Sequence, residues 1–388
     1  MNSRERFLAT MRFEPVDRGI AWEWHFMPAT VARWRAEGLP SDVYLPTDAS
    51  GAWVAPNGAA GDQSGRTLGT FFGLELGQPY CQGQTANVPL NTGMLPGFRR
   101  RVLHDSAERR VFIDSGGVTQ EVIKGIEPAM PRFLDYPVHN RDEFEALQRR
   151  YNADASARYA PDWSAYRQAI AQRDYPLCLR FDGLFGRLRR WMGTTGMMYT
   201  LYDDPALFKA MCAFHTEFLV DCLERTLDEI TVDYANIWED MAYKNGPLIS
   251  PTHVRRYMLP GYRRIVDCLR RHGVDIIFVD SDGNCDELIP IWLQAGINGL
   301  WPLEVAAGSD ALRYRREYGH DLLLVGGIDK RELSKGLAEV RQEVLRQVPA
   351  MLASGGYVPT VDHSVPPDVP LSNYVAYRAL LGEFMADR

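Results

Sequence analysis

The chain has 388 residues, longer than a typical single domain, and its 46% hydrophobic and 11% aromatic content is enough to build a sizeable core. A net charge of −7 with no basic block argues against a nucleic-acid partner, because phosphate binding rests on clustered Lys and Arg. No apolar run is long enough to cross a bilayer, and the six cysteines (Cys81, Cys178, Cys212, Cys222, Cys268, Cys285) are scattered without a Cys-x-x-Cys, which suits a reduced, cytoplasmic protein.

Residues 3–11 read as a short amphipathic helix. An apolar run at 20–27 carries Glu23 and His25 and ends at Pro28. If it is the first strand of a barrel, Trp22, Glu23, Trp24, His25 and Phe26 line a substrate pocket; the plainer explanation is an aromatic core with one solvated histidine. Residues 39–135 are rich in Gly, Pro and Asn, with short β-like runs at 101–104, 111–113 and 118–123. They read as an insertion or lid within one domain of 1–388, since no self-contained core pattern appears. Asn140 then caps a further helix.

From Tyr175 a rhythm sets in. The strand-like runs 176–182, 234–239, 276–279, 299–303, 321–325 and 355–361 end at polar tips, and helical patterns separate them. One of these helices is expected at 204–228, and another at 250–271 with an interruption near Pro260. Strand, polar tip and helix, repeated about six times, predict an α/β fold, a (β/α)8 TIM barrel carrying the insertion. No strand–Gly-x-Gly-x-x-Gly–helix supports dinucleotide binding. In a barrel the strand tips share one mouth, which would gather Asp182, Glu239, Asp240, Asp280, Asp282, Glu304, Asp329, Asp362 and His363.

The densest of these tips is Asp280-Ser281-Asp282-Gly283-Asn284, after the apolar run 276–279. In a strand, residues i and i+2 point the same way, so Asp280 and Asp282 are expected side by side. Two such carboxylates persist with a metal, a shared proton or a cationic partner. Singly, either could simply cap the next helix.

Several stretches resemble the uroporphyrinogen decarboxylase superfamily, which also contains corrinoid-dependent methyltransferases. They are Ser3-Arg4-Glu5-Arg6-Phe7-Leu8-Ala9-Thr10-Met11-Arg12 with Pro15 and Asp17-Arg18, the tip Glu239-Asp240, Gly246-Pro247-Leu248-Ile249-Ser250-Pro251 and Gly326-Gly327-Ile328-Asp329. Two departures bear on the branch. The Arg-Gln-Ala-Gly-Arg-Tyr motif of the true decarboxylases is replaced by Glu23-Trp24-His25-Phe26-Met27, the wrong charge for a polyanionic tetrapyrrole. The methyltransferases' His-x-Cys-Gly-Asn and distal Gly-Cys zinc ligands are replaced by Asp280-x-Asp282-Gly283-Asn284 and Asp362-His363.

The resemblance therefore implies a harder metal site, Asp280, Asp282 and His363, holding a divalent cation, zinc first and Mn²⁺ or Fe²⁺ next. Glu239 or Glu304 would be a fourth ligand or a proton donor, and Asp280 is a further acid candidate. Asp182, Trp238 and Asp240 join the aromatic run as substrate-binding candidates. The implied reaction is methyl transfer of the O-demethylase type, from a small methyl ether to a separate corrinoid-binding protein. The alternatives are a decarboxylase acting on a small or aromatic acid and a non-catalytic ligand-binding barrel. Small-molecule substrate aside, no membrane partner is expected, and a homo-oligomer is compatible with the sequence.

Overall fold

The computed structural model describes residues 1–46, 65–125 and 131–386. The rhythm read from Tyr175 onward forms one parallel sheet. Its strands are β1 (Cys178–Asp182), β2 (Tyr234–Trp238), β3 (Ile277–Asp280), β4 (Gly299–Trp301), β5 (Leu323–Val325) and β6 (Tyr357–Val358), hydrogen-bonded side by side in sequence order. Each is buried on both faces, which is why the runs read as continuous apolar stretches rather than alternating ones.

The expected eight-stranded closed barrel is met only in part, as a six-stranded ladder extended by single bridges. Asn87 bridges to Cys178 on β1, and Phe26 bridges to Val365 beyond β6. Between these flanking segments one backbone bond, from the Glu75 N–H to the Ala21 carbonyl, is joined by side-chain bonds: Glu75 accepts from the Ala21 N–H, Gln78 from the Glu23 N–H, and Gln82 binds both the N–H and the carbonyl of Phe26. Part of the stretch read as an insertion thus runs against the main sheet. Another part contributes the strands Arg101–Asp105, Arg109–Ile113, Thr119–Ile123 and Arg132–Asp135 of a separate four-stranded antiparallel sheet, the last of which the sequence reading had not anticipated. The residues of the presumed lid between 47 and 64 lie outside the described ones.

Helices pack outside the sheet. α1 (Ser3–Met11) carries a capping box between Asn2 and Glu5 and sends Phe7 and Met11 under the strands. α2 (Leu184–Asp203) breaks at Gly193, whose φ of 67° lies outside the helical region. α3 (Pro205–Leu227) starts on an Asp204 cap with Pro205 in its first turn. The interruption expected near Pro260 is a π-helical turn, Val254–Met258, just before α4 (Leu259–Arg271). α5 (Leu337–Ser354) and α6 (Leu371–Ala386) pack together beside β6. No helix among the described residues is long and apolar enough to cross a membrane, and all six cysteines are buried and unpaired.

Candidate active site at the strand tips

Strand parity builds the site in layers. Cys178 on β1, Tyr234 on β2 and Phe278 on β3 turn into the sheet's inner face with Trp22, Trp301 and Phe7, making an aromatic floor. Trp22 stacks on Trp301 with ring centres 5.6 Å apart. Two residues further along, Arg180, Asn236 and Asp280 are polar. Trp24 and Tyr80 close over them, their rings 4.4 Å apart, and the Arg180 guanidinium lies 4.7 Å from the Tyr80 ring centre.

Tyr80 joins this layer together. Its hydroxyl lies 2.7 Å from Asn236 Oδ1 and also hydrogen-bonds Asp280 Oδ2. One phenolic proton cannot serve two acceptors, so both contacts are satisfied when Asp280 carries its own proton and donates it to the phenol oxygen. Burial first, then the charge of Asp282, pushes the Asp280 carboxyl well above the usual carboxylate range, in agreement with that arrangement.

Asp282 and His363, 81 residues apart in the sequence, meet at the edge of this layer, Oδ2 to Nε2 at 3.5 Å, with side chains 38% and 30% exposed. Burial opposes charging of His363, yet Asp282 raises its pKa. Ser364 Oγ lies 3.0 Å from Nδ1 of both His363 and His25, and burial, then the charge of His363, lowers His25 to about 4. Glu304 accepts from the Gly283 N–H at 2.9 Å. Asp362 is fully buried between Lys330 Nζ and the Val305 N–H.

Other expected site residues go elsewhere. Glu239 turns away from the inner face to receive the N–H groups of Leu184 and Gly186 at the start of α2, both at 2.8 Å, and the Tyr262 hydroxyl at 2.6 Å. Gly183 is required there, since a Cβ would collide with the Glu239 carboxylate. Glu23 is fully buried and holds the Trp24 and Val361 N–H groups and the Tyr374 hydroxyl, and Phe26 packs outward against Trp34 and Tyr374. Trp22 belongs to the floor. Asp182 binds Arg187 and Arg190, Asp240 binds Arg189, and Trp238 lies between Arg189 and Arg190 at 4.9 and 4.3 Å.

A family model described as uroporphyrinogen decarboxylase (URO-D) matches residues 129–382, well over half of the chain. The chain belongs to the URO-D family. A curated uroporphyrinogen decarboxylase from Trichlorobacter lovleyi is 27% identical to this URO-D family chain over 132 residues, 33% of the chain and 36% of that protein. The match thus spans about a third of the relative's length. A solved structure, a methyltransferase from Methanosarcina mazei, superposes with a TM-score of 0.63 at 16% identity over 99% of each chain, a likeness of fold.

A metal implied by the resemblance can be tested against the donors this URO-D family chain presents. Among the described residues no three His, Cys, Asp or Glu side chains stand close enough to share an ion. Asp282 pairs with His363, while Asp280 is taken by Tyr80. Two of the three expected donors meet, and the set does not fit a three-ligand centre.

Tyr80, Arg180 and Asn236 belong to this candidate site and were missed from the sequence. Arg180 and Asn236 had a readable signal: polar residues inside otherwise apolar strand runs, in step with the acidic tips. Tyr80 had none, because it reaches the site from a stretch read as an insertion.

Proposed function

We propose that this chain transfers a methyl group from a small aromatic methyl ether to a corrinoid carried by a separate protein. Asp280 is the acid. The observation that supports this is the buried chain Asp280–Tyr80–Asn236 beneath Trp24, which keeps a neutral carboxyl beside an aromatic wall. Cob(I)alamin is the co-substrate that supplies the nucleophile for the methyl carbon. As the carbon–oxygen bond breaks, its electron pair stays on oxygen, and Asp280 gives that oxygen its proton. Trp24 stacks the ring, Tyr80 aims the Asp280 proton, and His363 with Asp282 at the solvent edge returns a proton after product leaves. In this reading the flanking segments 21–26 and 86–88 are the remaining staves of a barrel, and no residue of this chain is assigned to hold the corrinoid.

A second reading draws on Arg180, a cation that is the register partner of Asn236 and lies over the ring of Tyr80. A substrate carboxylate held there could leave as CO₂, with Asp280 protonating the carbanion. One experiment separates them: the purified chain is incubated with aromatic methyl ethers and cob(I)alamin, and in parallel with the corresponding acids alone. Methylcobalamin and free phenol are expected. CO₂ release without methylcobalamin would replace the first reading by the second, and ligand binding with neither product would favour a non-catalytic barrel.

A further inference from the structure

The polar layer holds a hydrogen-bond donor that the proposed reaction does not use. Asn236 is fully buried; its Oδ1 takes the Tyr80 hydroxyl, and its Nδ2 has no hydrogen-bond partner among the described residues. Leaving a buried amide donor unpaired costs about 1–3 kcal/mol, and folded proteins rarely do so without a ligand or ordered water to take it. Arg180 is the register partner of Asn236 across β1 and β2, so the two side chains rise together on the inner face, about 5 Å apart at their backbones.

The electrostatic balance on this side is positive. Arg180, Arg187, Arg189 and Arg190 gather around two carboxylates, Asp182 and Asp240, and Arg187 and Arg190 share the first of these. Burial opposes ionisation of Asp182, but Arg187, Arg190 and Arg180 together hold its pKa below the ordinary value. Asp280, in its protonated form, adds no negative charge. An amide donor beside a cation, over an aromatic floor, is a complementary surface for a carboxylate on a ring.

We infer that Asn236 and Arg180 form a carboxylate anchor, so that the substrate of this mouth is a small aromatic acid, in the reaction proposed above a methyl ether that also bears a carboxylate. The inference rests on the reading of this mouth as the substrate site. One carboxylate oxygen takes the Asn236 Nδ2 hydrogen and the other the Arg180 guanidinium. Asn236 and Arg180 are positioning residues: they hold the ring by its acid group and leave the bond making and breaking to Asp280.

The test is equilibrium binding to the intact chain by calorimetry, with benzoate and its neutral counterpart benzamide as probes. Wild type is expected to bind benzoate at least tenfold more tightly than benzamide, a comparison that needs no variant. Asn236→Leu and Arg180→Gln should each weaken benzoate at least tenfold and leave benzamide unchanged. A residue with a merely structural role would weaken both probes alike. Equal binding of the two probes, no benzoate binding, or variants that keep the benzoate preference would each overturn the anchor. A wild-type preference for benzoate that both variants lose, together with failed methyl transfer, would instead sink the proposed reaction alone.

Discussion

At position 280 a single carboxyl has to be both buried and useful. Its proton is held by a phenol already committed to an amide, and replacing it with an amide keeps the hydrogen-bonding shape while removing the acid. Asp280→Asn should therefore fold normally and turn over roughly 10²–10⁴-fold more slowly, measured as methylcobalamin formed per unit time. Glu239 shows what a buried carboxyl does elsewhere. Burial, partly offset by Tyr262 and the α2 N–H groups, raises its pKa from 4.5 to about 7. Between those values the folded chain holds more protons at this site than the unfolded chain, so stability falls as pH rises through the window. The part of that fall due to Glu239 is at most about 3.5 kcal/mol, taking about 1.4 kcal/mol per pKa unit. Urea unfolding between pH 4.5 and 8 should show a shallower decline in Glu239→Gln than in wild type; parallel declines would contradict it.

Among the elements, the helices with clear caps were legible. Arg141–Gln148 and Pro205–Leu227 lie where Asn140 and Asp204-Pro205 announced them, because a cap is a local hydrogen bond that needs no distant partner. α2 was not legible. Its N-terminus is capped by Glu239, 55 residues away, and its break at Gly193 answers to Tyr136, whose ring occupies the place a Cβ would need. Gly193→Ala combines that collision with a positive φ and should lower stability by about 1–3 kcal/mol in urea unfolding. An unchanged midpoint would mean that Tyr136 can move aside without loss.

Across the whole molecule the aromatic residues divide into a floor and a wall. Trp22 is buried in the floor among Phe7, Tyr234 and Trp301, and Trp22→Ala should cost about 3–5 kcal/mol of unfolding free energy. Trp24 borders Tyr80 and His363, so Trp24→Ala should weaken binding of an aromatic ligand as well as stability. Calorimetry with benzoate distinguishes the two positions.

The alternation of buried strands with capped helices and the acidic tips were written in the sequence, because each follows from burial or capping over a few neighbouring residues. Which way a tip looks was not. The parity of a strand gives two faces, and only pairing with partners 21 to 56 residues away along the chain decides which is inner. That pairing turned Asn236 and Asp280 inward, sent Glu239 to a helix end, and brought Asp282 to His363. A carboxylate's role depends on the water, charge and donors it meets, and those were assembled only by the tertiary fold.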